Sequence, residues 1–131
     1  MRLSVDTNAY RAYLDGDPTC VELIQTASTL AFPAIVVGEL RAGFRNGTKI
    51  SENEEILRQI LARRRVVVHD VTEATSFIYA SIWTDLRKKG SPIPTNDMWI
   101  AAQCLENDFT LLTRDSHFRH IAGLSVMPSA G

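Results

Sequence analysis

Short apolar runs rich in β-branched residues alternate along this chain with longer stretches whose apolar positions recur at helical spacing. Residues 2–5 read as a strand, and Thr7 or Asn8 can cap a helix to about Leu14. Asp17-Pro18 opens a second helix to about Ala27, because Asp caps and Pro suits the first helical position. "TLAF" is a second strand ended by Pro33, "AIVVGELRAGF" a helix despite its Val pair, and "RNGT" a turn. Ser51 with Glu54 reads as a capping box before a helix that carries Ile56, Leu57, Ile60 and Leu61 on one side. "RVVVH" is a strand. "VTEATSFIYASIWTDLRKKG" is a helix with Ala74, Phe77, Ile78, Ser81 and Ile82 as its apolar face, basic residues in its last turn and Gly90 as its stop. "SPIPT" is a rigid loop. "NDMWIAAQCLEN" is a helix with Asn107 as a left-handed stop, "FTLLT" a strand, "RDSHFRH" a loop or short helix, and "LSVM" a last short strand.

Apolar strands separated by helices imply a parallel sheet covered on both faces, and right-handed crossovers leave few ways to wind it. The expected fold is therefore α/β: a three-layer α/β/α sandwich around about five short parallel strands, with residues 1–131 as one domain. At 131 residues the chain needs no disulfide or structural metal to fold. Cys20 and Cys104 lie far apart in apolar helical contexts and are read as reduced packing residues. No apolar run approaches the roughly 20 residues that span a bilayer. The N-terminus enters a strand pattern directly, without a signal-peptide layout, so a cytoplasmic protein with no membrane partner is expected. The 14 Lys and Arg against 15 Asp and Glu give a net charge of −1, so a polyanion would not be gripped by overall charge alone. It would have to meet a local basic patch or a bound cation.

The acids supply that possibility. In an open parallel sheet, ligands bind outside the carboxyl ends of the strands where the winding reverses. Asp6 ends the first strand, and Asp115 lies two residues past "FTLLT". Asp97 opens a helix that runs antiparallel to the sheet, so it begins at the same edge. Glu39 is in the early turns of the helix leaving the second strand, amid the otherwise apolar "AIVVGEL". Taken singly, such acids are ordinarily caps or solvated groups. Together, four acids from four segments reach one rim. Two carboxylates about 5 Å apart repel by about 3 kcal/mol at an effective dielectric near 20. Protons or a cation must relieve that repulsion. Oxygen donors without His or Cys suit Mg²⁺, with Mn²⁺ as the alternative. Metal-assisted attack of water on a phosphodiester is the chemistry such a site performs.

Four stretches, "VDTNAY", "GELRAG", "PIPTNDMWIAA" and "LLTRDSHFRHIAGL", resemble in order and spacing the four motif regions of PIN-domain ribonucleases. The resemblance is to the VapC-type toxins of type II toxin–antitoxin systems and spans nearly the whole chain. It implies that Asp6, Glu39, Asp97 and Asp115 match the metal-binding acids. Thr7 and Asn8 match the polar pair after the first acid, and Thr113 the hydroxyl residue before the last. His117 stands where some members carry a further acid or Asn. The resemblance further implies Mg²⁺-dependent cleavage of RNA, a homodimer, and a small cognate antitoxin whose tail covers the active site. On this reading Asp6, Asp97 and Asp115 hold Mg²⁺, and Glu39 binds a second ion or orients the attacking water. Thr7, Asn8 and Thr113 position carboxylates or the scissile phosphate.

Other residues carry plainer expectations. His69, His117 and His120 are read as ordinary residues rather than a histidine-based ribonuclease centre. Arg63–Arg65 and Arg87–Lys89 suit helix C-termini. Arg114, beside Asp115, is the arginine expected to contact RNA. Tyr10, Tyr13 and Leu14, and Tyr79 with Trp83, are read as core before partner surface. A haloacid-dehalogenase phosphatase would need a second Asp where Asn8 stands, and a receiver domain would find its phosphoacceptor in Asp70 but neither its acidic pair nor its Lys in this chain. The rival from another class is a non-catalytic PIN-like module that binds RNA or protein through an acidic docking rim.

Overall fold

The structure, a computed structural model, describes residues 1–128. Its elements follow the order β1 (Arg2–Val5), α1 (Thr7–Leu14), α2 (Pro18–Thr26), β2 (Thr29–Pro33), α3 (Ala34–Arg45), α4 (Ile50–Leu61) and β3 (Val66–His69). Then come α5 (Glu73–Lys89), α6 (Thr95–Asn107), β4 (Thr110–Leu112), a 3-10 turn over Ser116–His120, and β5 (Val126–Met127). All strands are parallel, in the spatial order β3-β2-β1-β4-β5. The chain winds outward from β1 through β2 to β3, then returns to add β4 and β5 on the other side. The winding therefore reverses between β1 and β4, whose neighbouring residues are Ser4 with Leu111 and Val5 with Leu112.

Leu3, Val5, Leu30, Phe32, Leu111 and Leu112 are at most 2% exposed, which makes the three central strands the floor of the core. Burying each such side chain contributes about 1.5–3 kcal/mol. The outer strand β3 departs from the expected two-sided cover: Val67 and Val68 are exposed. Among the described residues no helix is long and apolar enough to cross a membrane. Cys20 and Cys104 are free and buried, and burial pushes the Cys104 thiol up to about 12, where it stays protonated.

Several local expectations change. The cap of α1 is Asp6 itself, whose Oδ1 accepts the Ala9 N–H at 2.8 Å, rather than Thr7 or Asn8. Ser51 lies inside α4, which starts after Lys49 without a side-chain cap, and Glu54 pairs with Arg41 at 3.0 Å. The left-handed residue after α6 is Asp108, not Asn107, whose amide donates back to the Gln103 carbonyl. Gly90 does stop α5 in the left-handed conformation, with φ 68°.

The buried side of α5 consists of Thr75, Ile82 and Leu86, with Ile78 and Tyr79 packed against the core, while Ala74, Phe77 and Ser81 face outward. Ile78 and Ile82 are inward as expected, and the turning of the rest has a polar cause. Thr75 goes inward because its hydroxyl donates to Glu106 at 2.6 Å and accepts the Thr72 N–H at 3.0 Å, closing a capping box that apolar periodicity does not register. Tyr79 stacks on Trp99 at 4.0 Å between ring centres, joining α5 to α6. Tyr10 is core, while Trp83 is exposed beneath the Arg87 guanidinium. Arg65 serves α2 rather than its own helix end: its guanidinium donates to the carbonyls of Ile24 and Ala27.

Candidate active site

The reversal between β1 and β4 opens a cleft of about 700 Å³ at the carboxyl ends of the strands, and Asp6, Glu39, Asp97 and Asp115 all line it. Asp6 is the innermost, 4% exposed at the end of β1. Its Oδ1 takes the Ala9 N–H, and its Oδ2 takes a short hydrogen bond from the Thr113 hydroxyl at the end of β4. The same Thr113 oxygen accepts the Asp115 N–H at 3.0 Å. One hydroxyl thus ties the ends of the two central strands together and sets both acids.

The remaining acids are also fixed by neighbours. Glu39 Oε1 accepts from the Thr7 hydroxyl at 2.6 Å, and its Oε2 accepts from the Asn96 amide at 3.3 Å. Asp97, in the first turn of α6, has Oδ2 2.7 Å from His117 Nε2. One potential ligand atom from each of Asp97, Asp115 and His117 lies within 4.8 Å of the other two.

Electrostatics follow from this crowding. Burial raises the Asp6 carboxyl from the ordinary 3.8 to about 6. Its hydrogen bonds from Thr113 and Ala9 oppose the rise, and the charges of Asp115 and Asp97 add to it. Asp97 is raised as well, chiefly by burial; contact with His117 lowers it, and Asp115 and Glu39 raise it. Each buried acid senses the others, so the cluster is short of positive charge. The carboxylates of Asp97 and Asp115 and the His117 imidazole form a donor set of the kind that holds a divalent ion.

The PIN domain model matches residues 3–124, nearly the whole chain. This chain belongs to the PIN-domain family. Within it the chain is of the VapC type: it is 30% identical over 125 residues to Ribonuclease VapC2 of Rickettsia felis, covering 92% of each chain. A second relative, Plasmid stability protein StbB of Pseudomonas syringae pv. tomato, is 34% identical over 110 residues, covering 79% of this chain and 77% of the other. Among solved structures, VapBC2 from Rickettsia felis bound to a DNA fragment from their promoter matches with TM-score 0.83 and 27% identity, over 96% of this chain and 97% of that one.

The PIN-domain site differs in detail from its sequence expectation. Arg114 does not line the cleft. Its position next to Asp115 sends the side chain to Asp17, which it grips through both carboxylate oxygens at 2.9 and 3.0 Å. The Cys20 N–H, followed by that guanidinium, holds the Asp17 carboxyl below its ordinary value. His117, read from sequence as an ordinary residue, is instead Asp97's partner. The one signal for it was a place two residues beyond Asp115, which the 3-10 turn folds back toward α6. Asn96 and Arg11 also line the cleft. Arg11 could have been found as the residue one helical turn after Thr7.

A pH dependence follows for the ion-free VapC-type protein. Asp6 binds its proton more tightly folded than unfolded, so its contribution to stability falls as pH rises from about 4 to about 6 and is then level. The displacement from 3.8 to about 6 corresponds to about 3 kcal/mol. Urea unfolding in EDTA between pH 4 and pH 7, compared with Asp6→Asn, measures it. The wild-type curve should lose stability relative to the variant over that window; parallel curves would contradict the burial of a charged Asp6.

Proposed function

We propose that this chain is a divalent-metal-dependent endoribonuclease toxin that hydrolyses RNA phosphodiester bonds and is held inactive by a cognate antitoxin. The observation that carries this reading is the convergence of four acids from separate segments on one cleft at the sheet's reversal point, with Asp6 buried beneath it. The likeness to a curated ribonuclease over 92% of the chain supports the substrate class. The likeness to a VapBC complex supports an antitoxin partner. A homodimer in the cytoplasm is the setting that the family resemblance suggests.

Asp6, Asp97 and Asp115 would hold Mg²⁺, or Mn²⁺, directly or through water. When bound, the ion would supply a Lewis acid for phosphate oxygens and make water a stronger nucleophile at neutral pH. The protein's own groups set the geometry. Thr113 fixes Asp6 and Asp115 relative to each other, so the two strand ends act as one platform. His117 steadies Asp97. Glu39, locked by Thr7 and Asn96, presents a carboxylate that can orient the attacking water and accept its proton, or carry a second ion. Asn8, exposed on the rim, would meet the scissile strand.

An end-labelled RNA incubated with the protein in Mg²⁺, in EDTA, and in EDTA followed by excess Mg²⁺ tests the reading. Cleavage, no cleavage and restored cleavage are expected. Cleavage at an equal rate in EDTA would exclude the metal-dependent route and return attention to the histidines.

A further inference from the structure

Among the described residues, Arg11 is the arginine or lysine that lines the acid-lined cleft. Arg11 follows Thr7 by four residues on α1, so it lies on the same helical face about 6 Å farther along the axis. On α3, Gly43 follows Glu39 by the same interval. The two helices thus leave the acid rim side by side and bring Arg11 and Gly43 together one turn away from it. A Cβ built on Gly43 would collide with the Arg11 guanidinium. Gly43 thus lies against the end of the arginine side chain, and Ala42 beside it lines this part of the cleft.

The guanidinium is uncommitted. Among the described residues it makes no hydrogen bond or ion pair, although four carboxylates line the same cleft. Arginines with structural work are paired: Arg41 with Glu54, Arg114 with Asp17, and Arg65 with the carbonyls that end α2. An exposed guanidinium without a partner, placed in a groove that runs from the acids, suits the oxygens of an extended polyanion.

We infer that Arg11 is a substrate-binding residue that grips an RNA phosphate beside the scissile one. The identity of the ligand rests on the ribonuclease reading above. Such a contact sets the strand's register across the acids without reading its bases, and it supplies locally the positive charge that the net balance of −1 does not.

The test is fluorescence anisotropy of a labelled single-stranded RNA with the full chain in Ca²⁺ over a range of salt, beside cleavage kinetics in Mg²⁺. Arg11→Gln should bind about tenfold more weakly, and its log–log salt slope should be smaller by about 0.7, the value of one phosphate contact on a single strand. In cleavage the loss should fall on KM rather than kcat. Arg11→Lys should keep the salt slope and recover part of the affinity. Thermal midpoints matching the wild type would show that the variants are folded, as expected for an exposed side chain. Unchanged affinity and slope in Arg11→Gln, or no RNA binding by the wild type, would overturn the inference. Wild type that binds RNA and leaves it intact in Mg²⁺, with Arg11→Gln still binding more weakly, would overturn the ribonuclease reading and uphold Arg11 as an RNA-phosphate contact.

Discussion

Replacing Asp6 by asparagine is expected to abolish RNA cleavage, by at least about 10³-fold, without lowering the stability of the ion-free protein at neutral pH. The two halves of this expectation have one source. Asp6 is the most buried of the cleft acids and is charged at pH 7.5 only against a penalty of about 3 kcal/mol. Asparagine removes that penalty. It also keeps the Oδ1 that caps α1, a position where Asn and Asp serve about equally. Its amide meets the Thr113 hydroxyl, which has a second lone pair to accept with. The thermal midpoint in EDTA should therefore rise or hold while the activity falls to the scale of a lost member of a cooperating group. A variant that lost both would show instead that Asp6 is chiefly a structural cap.

Expression of the intact protein in a bacterium without its antitoxin is expected to arrest growth, and Asp97→Asn to relieve the arrest. Asp97 connects two parts of the cluster. It lies against His117, and its charge is felt at Asp6. Asparagine keeps the shape of the first turn of α6 and removes one of the charges that draw a cation. It also deprives His117 of the carboxylate it faces. Growth of the variant strain should match an empty-vector control at equal protein level. Arrest of equal depth in both strains would mean that toxicity does not pass through this cleft.

The strand-end acids were legible because parallel-sheet winding is a strong constraint. β1 and β4 are short apolar runs, and the residues that follow them must emerge at one edge whatever the side-chain details. The same constraint gave the element order and the place of Glu39 on α3. Features that depend on side-chain partners were not legible. Thr75 turns inward on α5 because Glu106, 31 residues away, satisfies its hydroxyl, and so the exposed side of that helix carries Phe77. Arg114 goes to Asp17 over a separation of 97 residues. His117 gains its role only when the 3-10 turn delivers it to Asp97 on another element. Asp6 serves two purposes, capping α1 through Oδ1 and meeting Thr113 through Oδ2, and only the second is tied to a strand end. Local periodicity describes which elements exist; pairings between them decide which polar groups meet.

Calorimetric titration of Mn²⁺ into the wild-type protein and Asp115→Asn at pH 6, in two buffers of different ionisation enthalpy, tests most directly whether the gathered acids form a site for a divalent ion. The expected result is saturable binding by the wild type with proton release, because Asp6 is partly protonated near that pH, and at least about tenfold weaker binding by the variant. Absence of binding heat in both buffers, or equal affinity in the two proteins, would contradict it and leave the cleft as an acidic surface without a cation.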